Sequence, residues 1–175
     1  MDNNGTDIIA FGDSLTYGYG SAQEESYPYI LGEIIGRDIV NLGVNGNTAA
    51  DGLARIDDLK GYNPYMVLIE FGANDYMRKR PFDQTKQALS DIVDYVQDMG
   101  AIAVLVDTGG PGMGKYTDYM KELSKQKQTL FVPAIMEGIF TDPSLKSDII
   151  HPNAKGYKIV AERVYKNIKK HLPHD

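Results

Sequence analysis

The chain contains no cysteine. A disulfide framework, a thiolate nucleophile and a cysteine-rich zinc site are therefore excluded, and the redox compartment is left undetermined. Histidine is scarce, with three residues, so imidazole chemistry has few candidates. No apolar run approaches the roughly 20 residues needed to cross a bilayer, and stable membrane insertion is not expected. The opening Met1-Asp2-Asn3-Asn4-Gly5-Thr6-Asp7 lacks the positive segment and apolar stretch of a secretory signal. Cytoplasmic residence is the expectation, although an exported protein stripped of its signal would read the same. Basic charge is also in deficit: the net charge of -6 sets the long-range field against phosphate, so no nucleic-acid partner is expected. The run Arg78-Lys79-Arg80 is a local exception that reads as a solvated loop.

With 175 residues, 42% of them hydrophobic, the chain can form one domain spanning 1–175 with a continuous core. Five short aliphatic runs stand out: Ile8 to Phe11, Asp38 to Leu42, Met66 to Phe71, Ala101 to Val106 and Thr129 to Val132. Most lack polar alternation, as strands covered on both faces do. Between them lie helical stripes: Tyr27, Ile30, Leu31, Ile34 and Ile35 before Gly36, and Leu89, Ile92, Val93 and Val96 before Gly100. A third stripe joins Tyr116, Tyr119, Met120 and Leu123. The last follows Asn153, a good cap, and carries Tyr157, Val160, Ala161, Val164, Ile168 and Leu172. Alternating strands and helices predict an α/β fold in which helices cover both sides of a five-stranded parallel sheet.

In such a sheet, ligands bind beyond the carboxyl ends of the strands. Four polar clusters fall there: Gly12-Asp13-Ser14-Leu15, Asn41 to Thr48, Gly72-Ala73-Asn74-Asp75, and Asp148-Ile149-Ile150-His151-Pro152. A serine hydroxyl is a poor nucleophile unless a base lies within hydrogen-bond reach and a third group orients that base. Ser14, His151 and Asp148 can fill those three places. Taken singly, Ser14 is equally a helix cap; the plain readings of His151 and Asn74 are a solvent-facing side chain and a left-handed turn residue. The other two histidines, His171 and His174, lie in a polar tail. Asp13 and Asp75 read as scaffold that steadies helix N-termini.

In this order the clusters resemble the blocks of the SGNH hydrolases, also called the GDSL esterases and lipases. Gly12-Asp13-Ser14-Leu15 is similar to the nucleophile block, Gly72-Ala73-Asn74-Asp75 to the Gly-x-Asn-Asp block, and Asp148 to His151 to the Asp-x-x-His block. Asn41 to Thr48 resembles the remaining block, with its oxyanion glycine placed at Gly46 rather than Gly43. Asn45 departs from the pattern, since relatives often carry serine there. The resemblance implies a flavodoxin-like three-layer α/β/α sandwich and a serine esterase acting on a small-molecule ester or thioester through an acyl-serine. Donors for the oxyanion would be the Ser14 and Gly46 backbone N–H groups and the Asn74 amide. No metal or cofactor is implied, and nothing in the sequence specifies an oligomeric state.

Substrate contacts are expected from Tyr76, Met113 and Tyr116. Short connections with no recognisable lid point to short acyl chains. The resemblance also covers lysophospholipids, acyl thioesters, aryl esters and acetylated sugars, so the alternatives within it are a carbohydrate acetylesterase or a lysophospholipase/thioesterase. A rival reading is a non-catalytic nucleotide- or flavin-binding module using Gly109-Gly110-Pro111-Gly112-Met113-Gly114-Lys115. That loop approaches the phosphate-cradling pattern but has Tyr116 where a small hydroxyl is required.

Overall fold

The structure is a computed structural model describing residues 3–173. Successive side chains of a strand point to opposite faces, so a strand buried on both needs apolar residues throughout. The central strands meet that condition. Ile8, Ala10, Met66, Leu68, Val104 and Val106 pack into one core cluster, while Ile9, Phe11, Val67, Ile69, Ala103 and Leu105 pack into another. The five strands are β1 (Asp7–Gly12), β2 (Ile39–Gly43), β3 (Pro64–Glu70), β4 (Ile102–Val106) and β5 (Leu130–Val132). They pair in parallel in the order β2-β1-β3-β4-β5. This is the flavodoxin-like order, in which the chain reverses direction across the sheet between β2 and β3.

Helices α2 (Tyr27–Ile35) and α7 (Ala154–Ile168) cover one face. The other is covered by α3 (Ala49–Ala54), α5 (Phe82–Asp98) and α6 (Gly114–Lys127), which completes the three layers. Helix ends follow local chemistry. Gly36 turns left-handed at φ 70° and its N–H closes α2 on the Gly32 carbonyl, as expected of a glycine past a helix end. The Asn153 side chain caps α7 by accepting the Gly156 N–H at 3.1 Å. Leu172 lies beyond α7, after a 3-10 turn at Lys169–His171, yet still packs against the same cluster as the helix. His171 is exposed and His174 falls outside the described residues.

Two further helices start directly at strand ends: α1 (Ser14–Tyr17) after β1 and α4 (Ala73–Met77) after β3. Each is too short to leave an apolar period. Among the described residues, no helix is long and apolar enough to cross a membrane.

Candidate active site

The β1–α1 junction is built on close approach. A side chain at Gly12 would lie 2.2 Å from Thr16 Oγ1 and 2.7 Å from the Glu70 carbonyl, so only glycine fits between β1 and β3. Asp13 then caps α1 by accepting the Leu15 N–H at 2.9 Å. Ser14 is the first helical residue, so its own N–H has no acceptor within the helix. Beside it, Arg55 holds the β2 end: its guanidinium donates to the Gly12 and Leu42 carbonyls, each at 2.9 Å, and to Asn47 Oδ1 at 2.7 Å.

The Ser14 hydroxyl lies 3.0 Å from His151 Nε2, although 137 positions separate them. His151 Nδ1 lies 2.8 Å from Asp148 Oδ2. The other Asp148 oxygen accepts the backbone N–H groups of Ile150 at 2.9 Å and His151 at 2.8 Å. That turn fixes which oxygen faces the ring. Partial burial acts to raise the Asp148 pKa, but those two N–H donors and the imidazole outweigh it and hold the carboxyl below its ordinary range. An antiparallel bridge between Lys146 and Pro152 closes the base of the loop, and Lys146 Nζ donates to the Phe140 and Ile149 carbonyls at 2.7 and 3.1 Å. The Tyr19 ring stands 4.5 Å from the His151 ring.

Asn74 sits in α4, 7% exposed, and is not left-handed; the neighbouring Gly72 takes the positive φ, 126°. Its Nδ2 donates to Asp13 Oδ2 at 3.1 Å and to the Asn47 carbonyl at 3.0 Å. Gly46 lies in the adjacent turn with φ 79°, where a side chain would also meet Arg78 at 2.9 Å. Asp75 is scaffold in its contacts, accepting the Ala49 N–H at 3.0 Å and the Thr85 hydroxyl at 2.8 Å.

A cavity of about 350 Å³ opens onto Ser14, Asn74 and His151. Its walls are mostly apolar, from Leu15, Met77, Pro111, Met113, Phe140 and Ile149. Of the expected substrate contacts, Tyr76 and Met113 line it and Tyr116 does not. Tyr116 is 3% exposed and packs edge-on against Tyr76, so it supports the wall from behind. Gly46 is likewise not a wall residue; it belongs to the turn whose Asn47 carbonyl meets Asn74. The glycine-rich loop contributes Gly110, Pro111 and Met113 to the cavity wall, and its Met113 N–H is bonded to the Gly110 carbonyl.

Sequence reasoning missed three features here. Glu70 lies fully buried beneath Asp13, and its only signal was a carboxyl ending an apolar strand. Phe140 and Lys146 come from an irregular stretch with no period to read. Arg55 gave no motif at all.

A family model described as GDSL-like Lipase/Acylhydrolase matches residues 10–159. The chain is 32% identical to an arylesterase of Vibrio mimicus, covering 94% of this chain and 89% of that one. It is 29% identical to the thioesterase 1/protease 1/lysophospholipase L1 of Escherichia coli K12, covering 96% and 86%. The crystal structure of the psychrotrophic esterase EstA from a Pseudoalteromonas species, inhibited by monoethylphosphonate, superposes with a TM-score of 0.82 at 31% identity, covering 97% of this chain and 98% of that one. With the matched model spanning all four polar clusters, the chain belongs to the GDSL-like lipase/acylhydrolase family.

Proposed function

We propose that the protein is a serine esterase in which Ser14 is the nucleophile, His151 the general base and Asp148 the group that orients the base. One observation carries this reading: the unbroken line from the Ser14 hydroxyl through the His151 ring to Asp148, with steps of 3.0 and 2.8 Å. Asp148 accepts the Nδ1–H, which leaves Nε2 unprotonated and able to take the serine proton. As Ser14 Oγ bonds to the ester carbonyl, His151 becomes imidazolium and then protonates the departing alcohol or thiol. Water, deprotonated by the same ring, cleaves the acyl-serine and returns the enzyme.

The carbonyl oxygen gains charge during attack, and the Ser14 and Gly46 N–H groups and the Asn74 amide are the proposed donors. Asn74 holds one N–H on Asp13 and the other on a neutral carbonyl. An oxyanion competes well for the second, because a charged acceptor is the stronger one. Asn74→Ala should therefore lower kcat by about 10²- to 10³-fold with little change in KM. A large rise in KM at undiminished kcat would count against the assignment.

Occupation of the cavity by the acyl group follows from its apolar walls and its place beside Ser14. About 350 Å³ is near the lower end of small-molecule pockets, which favours short acyl chains. Across p-nitrophenyl esters from acetate to palmitate, kcat/KM should peak at butyrate or hexanoate; a maximum at palmitate would contradict this. Labelling by a fluorophosphonate probe, mapped by peptide mass, tests the nucleophile. Attachment anywhere but Ser14 would refute it.

A further inference from the structure

Beneath the Ser14 cavity lie two carboxyl groups that ester cleavage does not consume. Glu70 is fully buried, Asp13 is 1% exposed, and Glu70 Oε2 accepts the Asp13 backbone N–H at 3.3 Å, which sets the two carboxyls side by side. Among the described residues, neither has a lysine, arginine or histidine within ion-pair distance. Two adjacent buried negative charges do not both persist, and a hydrogen bond between carboxyls requires a proton on one of them.

The neighbours decide which one. Asp13 gives both oxygens to N–H donors: Oδ1 to Leu15 at 2.9 Å and Oδ2 to the Asn74 amide at 3.1 Å. Such donors cannot reverse, so they favour the charged form of Asp13. Glu70 meets hydroxyls instead, from Thr16 at 3.1 Å and Thr108 at 3.3 Å, and one longer N–H contact from Asp13 at 3.3 Å. Hydroxyls can turn and accept, so they tolerate a neutral Glu70. Burial raises both groups, Glu70 well above its ordinary value.

We propose that Glu70 is a positioning residue of this site: it carries the proton, donates it to Asp13, and so keeps Asp13 as the charged acceptor that aims the Asn74 amide. The proposal rests on the reading of Asn74 as an oxyanion donor. Loss of the Glu70 donor leaves Asp13 a buried charge with one partner fewer, free to reorient and carry Asn74 with it.

The test measures kcat and KM for p-nitrophenyl butyrate with Glu70→Gln, Glu70→Ala and Glu70→Met. Rates are counted per active site by fluorophosphonate titration to completion. Gln keeps a neutral donor of the same size and should hold kcat within about threefold of the parent; Ala and Met should lower it by about 10- to 100-fold, less than removing the amide itself. KM should change less than about twofold in all three, which separates a mis-aimed donor from a damaged binding cavity. Met fills the space without a donor, so it decides the matter if Ala fails to fold. Equal losses in Gln and Met would overturn the proposal, as would wild-type kcat in Met. Asn74→Ala is run in parallel: wild-type turnover there would bring down the oxyanion reading beneath it, whereas a large loss there with no loss in Met would bring down the Glu70 role alone.

Discussion

Ser14→Ala is expected to lower kcat for an aryl ester by about 10⁶-fold, the scale seen when the nucleophile of a serine hydrolase is removed. The side chain lost is a single oxygen, held 3.0 Å from His151 Nε2 at the start of a short helix. Alanine suits a helix start poorly but keeps its backbone, and Asp13 rather than Ser14 supplies the cap. Thermal unfolding should therefore stay within a few degrees of the parent, a shift of about 1 kcal/mol or less. Because nucleophile and base act as a unit, adding His151→Ala should reduce kcat little further. Stopped assays at high enzyme concentration, with the variant purified away from host esterases, read the effect directly. Residual turnover above about one hundredth of the parent would refute Ser14 as the attacking group.

Asp148→Asn is expected to cost about 10⁴-fold in kcat while leaving the loop in place. One Asp148 oxygen accepts two backbone N–H groups, from Ile150 and His151. In asparagine the carbonyl oxygen must keep that position, since an amide NH₂ cannot accept. The NH₂ group then faces His151 Nδ1 and donates to it, which drives the ring proton onto Nε2. A protonated Nε2 cannot take the Ser14 proton, although every heavy atom sits where it did. Asp148→Ala removes the loop's N–H acceptor as well, so it should also lower thermal stability. An Asp148→Asn enzyme with near-normal kcat would show that the carboxylate does not set the tautomer.

Much of the arrangement was legible because it is written locally. Ile8 to Phe11 and Met66 to Ile69 are apolar at every position since both faces of those strands are covered. Gly36 and Asn153 end and begin helices through their own backbone and side-chain chemistry. Asp148 and His151 are three residues apart, so one turn can join them. The expected contact from Tyr116 went astray for a tertiary reason: Tyr76 stands in front of it, and no helical period reveals which of two aromatic residues faces a cavity. Glu70 offered one carboxyl in an apolar strand, and its partner lay 57 positions away.

Composition and short-range pattern by themselves determined the strands, the principal helices and the chemical types gathered at the strand ends, because backbone conformation and capping depend on neighbours a few residues apart. Only the tertiary structure decided that Ser14 meets His151, that Asn74 rests on Asp13, and that Glu70 lies beneath both. Those distances depend on strand order and sheet twist, which bring together segments as much as 137 residues apart and which no local preference encodes.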